Sequence, residues 1–152
     1  MPGDVPAVQE PVVAEPAGRY ARNPPLVVDC SVLAAVLFDE PERESAALAM
    51  AGKELFAPDL LNHEIVSVAL KKSAAGYDAV SEQALVDLDA LRLTRCCVDV
   101  TAQFKLAERT GLTAYDAAYL QLALELRAPI VTFDRKLGKA AAKILAGSPE
   151  PD

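Results

Sequence analysis

Between residues 26 and 146, short, wholly apolar runs alternate with longer segments of helical periodicity. Leu26-Val27-Val28 is apolar throughout, the mark of a strand covered on both faces. After Asp29-Cys30-Ser31, the residues Val32, Leu33, Val36 and Leu37 recur at helical spacing. Pro41 suits the first position of a helix over 42–51. Leu55-Phe56-Ala57 reads as a second strand stopped by Pro58. Helices are expected over 60–75, with Gly76 in the stop position, and over 81–91. Thr94–Val100 reads as a third strand, 102–109 as a helix closed by Gly111, and 113–127 as a long, nearly all-apolar helix. Ile130-Val131-Thr132 is a fourth strand and 134–145 the last helix. Strands separated by helices predict an α/β layered domain with a mainly parallel sheet, whose ligands gather beyond the carboxyl ends of the strands.

Composition bounds this domain. Six of the eleven prolines fall in residues 1–25, so that stretch is expected to be a disordered extension, with 26–146 as one folded domain and 147–152 as a frayed end. No apolar run reaches the ~20 residues of a membrane span, and no secretory signal is evident. Three cysteines provide neither a disulfide framework nor paired zinc spacing, which suits the cytoplasm. With one histidine, His63, multi-histidine metal sites have nothing to build on. Net charge is −7, which argues against generic coating of nucleic acid but not against carboxylates gathered around a cation.

Four acids stand out. Asp29 directly follows the first apolar run and fits either a helix N-cap, bonding the amides of Ser31 or Val32, or a ligand at a strand end. Glu64 has Leu60, Leu61 and Val68 as its helical neighbours, so its carboxylate lies on or beside the apolar stripe. There it either reaches water at the edge of the stripe or is paired, protonated or bound to a cation. Asp116 closes Thr113-Ala114-Tyr115-Asp116, the spacing of a capping box, at the start of a helix apolar nearly all round. The positive end of that helix favours its charged form. Asp134 follows the last strand as another N-cap candidate, but Arg135 and Lys136 after it oppose the helix dipole and suit contact with phosphate.

Parallel, adjacent strands would bring these acids to one edge of the sheet. Clustered carboxylates repel, and one or more is protonated unless a divalent ion is present. Oxygen-only ligation selects a hard cation, Mg²⁺ or Mn²⁺. Such an ion holds phosphate oxygens and lowers the pKa of water, which points to phosphodiester hydrolysis.

The segments V-V-D-C-S-V-L, A-P-D-L-L-N-H-E-I-V-S-V-A-L, L-T-A-Y-D-A-A-Y-L-Q-L-A and A-P-I-V-T-F-D-R-K-L, in this order, closely resemble the PIN-domain family, and within it the VapC-type ribonuclease toxins of bacterial toxin–antitoxin pairs. The likeness covers roughly residues 26–145. It implies a three-layer α/β/α sandwich around a parallel sheet and a Mg²⁺- or Mn²⁺-dependent endoribonuclease that uses metal-activated water. The family's acids fall on Asp29, Glu64, Asp116 and Asp134, as catalytic and metal-holding residues, and its supporting hydroxyls on Ser31 and Thr132. A small cognate antitoxin and a homodimer are further implications. The chain departs from the family in its long Pro-rich extension and in the weak representation of a final strand, where only Lys143-Ile144-Leu145 precedes Gly147.

Among the remaining residues, His63 points about 100° away from Glu64 on a helix and suits a surface or packing role. Cys30 reads as a small buried filler, and one of Cys96 and Cys97 as core. Leu85, Leu88 and Leu91 form a stripe for core or for a dimer face. Arg135 and Lys136, with Lys71, Lys72, Lys139 and Lys143, are candidates for an RNA path or simply for solvated faces. Two other functions compete with the nuclease. One is a catalytically inactive PIN-like binding module, which is expected to lose an acid. The other is a phosphoacceptor receiver-like domain, which wants an early acidic pair and a Lys ending a late strand, both missing here.

Overall fold

A computed structural model describes residues 23–147 of the chain. Most of the expected extension (1–22) and the last five residues of the expected frayed end (148–152) lie outside the described residues. Along the chain run β1 (Pro25–Val28), α1 (Cys30–Leu37), α2 (Arg43–Met50), β2 (Glu54–Pro58), α3 (Leu61–Ala74), α4 (Asp78–Ala90), β3 (Leu93–Cys96), α5 (Val100–Thr110), α6 (Ala114–Leu126), β4 (Ile130–Val131) and α7 (Arg135–Ala146).

The four strands form one all-parallel sheet in the order β3-β2-β1-β4. Parallel neighbours need crossovers, and the helices supply them. Helices α1 to α4 pack among themselves as one layer, and α5, α6 and α7 as another, with α6 lying on β1, β2 and β4. The fold is therefore the three-layer α/β/α arrangement. Burial on both faces explains the unbroken apolar run of β1: Val27 and Val28 are fully buried, each contributing about 1.5–3 kcal/mol. In α6, Ala117, Ala118 and Ala123 are small enough to bring the helix close to the sheet. Among the described residues, no helix is long and apolar enough to cross a membrane.

Several boundaries differ from the sequence expectation. Pro25 already belongs to β1, and the Pro24 carbonyl accepts a bond from the Glu54 amide. Pro41 lies in a turn, with Glu42 as the N-cap of α2. Pro58 ends β2 from within, in register with Cys96. Helix α4 begins three residues before Ser81, whose hydroxyl bonds back to the Tyr77 carbonyl and so sits inside the helix. The third strand stops at Cys96 because the Asp99 carboxylate accepts from the Ala102 amide and starts α5 at Val100. No fifth strand occurs among the described residues, since Lys143, Ile144 and Leu145 belong to α7. Leu85, Leu88 and Leu91 all pack on the core, which resolves that stripe.

Candidate active site

Parallel pairing of β1 with β4 sets Val28 opposite Val131, and the Asp29 amide donates to the Val131 carbonyl at 3.0 Å. Asp29 therefore lies beside Thr132, which is 103 residues away in sequence. The expected side-chain cap is not made: Asp29 occupies the N-cap position of α1, but its carboxylate accepts instead from two hydroxyls. Ser31 Oγ donates to Oδ2 at 2.7 Å and Thr132 Oγ1 at 2.8 Å. Each hydroxyl in turn accepts a backbone amide, Ser31 from Phe133 at 3.0 Å and Thr132 from Asp134 at 2.9 Å. A carboxylate only 5% exposed is thus fixed by donors that are themselves fixed, as a buried polar network requires.

Glu64 lies in the first turn of α3, half-buried. Tyr119, fully buried in α6, donates its hydroxyl to Glu64 Oε1 at 2.8 Å. Burial raises the Glu64 carboxyl above its ordinary range, the Tyr119 bond pulls it back, and Asp29 and Asp116 push it up again. Asp116 lies in the first turn of α6, whose N-cap Thr113 accepts the Asp116 amide at 3.1 Å. Its helix position favours the charged form, yet the net direction is upward. Burial, Asp134 and Asp29 together outweigh the Thr113 hydroxyl and Lys136. Asp134 is exposed and caps α7, accepting the Leu137 amide on Oδ1 at 2.8 Å.

All four acids accordingly occupy the N-terminal ends of helices, namely α1, α3, α6 and α7. Converging positive helix ends offset part of the mutual repulsion. None of the four makes an ion pair among the described residues. Asp29, Glu64 and Asp134 each commit one carboxylate oxygen to the protein, leaving Asp29 Oδ1, Glu64 Oε2 and Asp134 Oδ2 without a donor among the described residues. No three His, Cys, Asp or Glu side chains among the described residues form a ready-made metal cage. Mg²⁺ does not need one: it takes one or two carboxylates and retains several waters. Oxygen donors, free lone pairs and unneutralised charge fit such a cation.

The neighbouring residues sort clearly. Exposed His63 and Lys71 line a groove of ≈ 540 Å³ with Glu64, Leu60, Val68 and Tyr115. Cys30 also reaches this groove, but its buried thiol is pushed up to about 12 by burial, Glu64, Asp29 and Glu40, so it is no nucleophile. Lys136 is tethered to the Gly111 carbonyl at 2.6 Å, and Lys72 faces Glu40 at 3.4 Å. Arg135 and Lys139 are exposed on α7, and Lys143 lines a separate pocket with Arg109. Cys96 ends β3 half-buried, while Cys97 lies beyond the strand, exposed. The sequence alone does not single out Tyr119, whose hydroxyl completes this cluster. The available signal was a phenol on an otherwise apolar helix face, which must find a hydrogen-bond partner when buried.

The family model described as PIN domain matches residues 26–143. The chain is 32% identical over 121 residues to Ribonuclease VapC3 of Pyrobaculum aerophilum, covering 75% of this chain and 92% of that protein. The crystal structure of PAE2754 from Pyrobaculum aerophilum aligns with a TM-score of 0.61 at 22% identity, over 81% of this chain and 88% of that one. At that identity the second likeness bears on the fold alone.

Proposed function

The chain belongs to the PIN-domain family and is a VapC-type protein, and on that premise we propose that it is a Mg²⁺- or Mn²⁺-dependent endoribonuclease, the toxin of a toxin–antitoxin pair. The observation that carries this reading is the buried Asp29 carboxylate. It is oriented by Ser31 and Thr132 beside Glu64 and Asp116, both of which are raised by burial and further by their carboxylate neighbours. A cluster kept at such electrostatic cost has a use for a cation. The relative named a ribonuclease favours RNA as substrate.

Asp29, Glu64, Asp116 and Asp134 would hold the ion between them, one or two directly and the others through its waters. When bound, it supplies positive charge against the phosphate and lowers the pKa of water. The chain's own residues do the positioning. Ser31 and Thr132 hold Asp29 Oδ2, so that Oδ1 keeps one orientation, and Tyr119 holds Glu64 Oε1, which leaves Oε2 for the groove. Arg135, exposed one residue beyond Asp134, guides the RNA backbone. Lys136 moderates the charge of Asp116. A small antitoxin restrains the enzyme in the cytoplasm, and the working unit is a homodimer.

The test combines calorimetric titration of Mn²⁺ with cleavage of total RNA in Mg²⁺, Mn²⁺ or EDTA. Wild type is expected to bind the ion and cut RNA, and Glu64→Gln to fold normally but lose cleavage. If wild type binds no divalent ion and cuts no RNA in either metal, the nuclease reading fails and a binding module replaces it.

A further inference from the structure

The four acids are not all held in the same way. Asp29 takes a hydroxyl from Thr132 beyond β4, and Glu64 takes one from Tyr119 of α6, so each is fixed across two elements. The carboxylates of Asp116 and Asp134 take hydrogen bonds only from their own helices, through the Thr113 hydroxyl that caps α6 and the Leu137 amide of α7. Nothing in those bonds sets one helix start against the other. The two groups also push apart: burial raises the Asp116 carboxyl most, and Asp134 is the next cause.

Lys136 spans that gap. It lies in the first turn of α7, two residues after Asp134, and its Nζ donates to the Gly111 carbonyl at 2.6 Å. Gly111 closes α5 with φ 69°, and only Leu112 separates it from Thr113, the cap of α6. The bond therefore ties the turn that starts α6 to the turn that starts α7. Among the described residues, no other side-chain hydrogen bond or ion pair joins the first turn of α7 to residues 111–113. An ammonium at the start of α7 opposes the dipole of its own helix, but at the Gly111 carbonyl it meets the negative end of α5. It also works against the upward push on Asp116. The other cations of α7, Arg135, Lys139 and Lys143, make no side-chain hydrogen bond or ion pair among the described residues. Lys136 is the one whose ammonium is already bound.

We propose that Lys136 is a positioning residue of the acid site: by holding the first turn of α7 on the α5–α6 turn, it keeps Asp134 and Asp116 close enough for one cation and its waters to span them, and it does not contact RNA. The proposal rests on the reading of the acids as a cation site and adds what keeps two of them together. Charge and position act here with opposite signs. A lysine beside a cation site repels the ion, so losing one that acted by charge alone tightens divalent binding. Losing a tether weakens it, because the two carboxylates then separate.

The test is calorimetric titration of the full chain with Mn²⁺ at neutral pH. Lys136→Met keeps the stem of an exposed side chain but removes charge and donor, and Leu137 and Ala141 still bury α7. Its thermal unfolding should stay cooperative and its Mn²⁺ binding should weaken about tenfold. Lys136→Arg, which keeps both charge and donor, should remain within about threefold of wild type. Lys139→Met makes the same charge change on the same helix without touching the tether, and its Mn²⁺ binding should be unchanged or slightly tighter. In cleavage assays, Lys136→Met should need about tenfold more Mn²⁺ for half-maximal rate, while kcat and KM for RNA at saturating Mn²⁺ stay within about threefold. Mn²⁺ binding by Lys136→Met that equals or exceeds that of wild type overturns the proposal and leaves the cation reading intact. Weakening of the same size in Lys136→Arg also overturns it, since rescue by a second tethered cation is then absent. A large rise in KM at saturating Mn²⁺ makes Lys136 an RNA contact instead. Wild type that binds no Mn²⁺ removes the cation reading and this proposal with it.

Discussion

Asp29 and Asp59 occupy equivalent places in the sheet and meet different fates. Each directly follows a parallel strand, β1 or β2, and each donates its amide to the last residue of a neighbouring strand, Asp29 to Val131 and Asp59 to Cys96, both at 3.0 Å. Each carboxylate accepts from the next residue along that neighbour, Thr132 Oγ1 at 2.8 Å for Asp29 and Cys97 Sγ at 3.1 Å for Asp59. There the likeness ends. Asp29 is 5% exposed, has a second donor in Ser31, and shares its surroundings with Glu64 and Asp116. Asp59 is exposed, and its effect falls on Cys97, whose thiol it raises first through their hydrogen bond. A carboxylate at a strand end becomes a site only where helix N-termini bring further carboxylates to it and hydroxyls hold it still.

Neutralising the two acids tests this directly. Asp29→Asn should cut RNA cleavage and weaken Mn²⁺ binding by at least about a hundredfold, since on the proposed reading Asp29 is a ligand, and losing a ligand costs no less than losing its support. Asp59→Asn should leave both within about threefold, as expected of an exposed carboxylate outside the cluster. Comparable losses in the two variants would show that strand-end position alone makes the site.

Removing the donors instead of the acids asks a finer question. Thr132→Val keeps the shape of the side chain but takes away the bond to Asp29 and the acceptor for the Asp134 amide. A loss of about 10–100-fold in metal affinity or activity is expected, the usual cost of disturbing the groups that orient a ligand. Cys97→Ser, the matching change at Asp59, should leave activity unaltered. Equal, negligible effects would reduce the Ser31–Thr132 network to packing.

The sequence shows this contrast unevenly. The strands before both acids are visible as apolar runs, and Thr132 is within reach as the hydroxyl that closes I-V-T. The pairing of Asp29 with Thr132 is not, because it depends on β4 lying beside β1 across 103 intervening positions. Local competition accounts for the missed boundaries. Thr94–Val100 alternates like a strand, but Asp99 caps a helix three residues before the expected start. Ser81 looks like the start of a helix, but its hydroxyl turns back to Tyr77. Tyr119 hides among apolar neighbours, and only the tertiary fold reveals that its hydroxyl meets Glu64, 55 residues earlier.

The acid cluster should also mark the stability of the metal-free protein, with the smallest of these effects and a sign opposite to that of an ion-paired carboxylate. Glu64 and Asp116 are raised from ordinary values of 4.5 and 3.8, so the native state holds their protons to higher pH than the unfolded chain does. Between the ordinary and the raised values the folded form binds more protons, and stability falls as pH rises. Above the raised values both groups are charged in both states, and the deficit stays constant. Asp116→Asn removes one charge from the cluster and keeps the amide that bonds to Thr113. Its thermal midpoint relative to wild type should therefore climb as pH rises above the ordinary value of 3.8 and level off once the raised carboxyls have ionised. Saturating Mn²⁺ should narrow the gap by stabilising the wild type, because an ion bound only by the native state adds to its stability. Tyr119→Phe sharpens the same measurement: without the phenol that lowers the Glu64 carboxyl, the decline in stability should extend to higher pH. A difference between Asp116→Asn and wild type that stays flat across this range would show that repulsion at the acid end does not reach the fold, and the energetic contrast with Asp59 would then rest on hydrogen bonding alone.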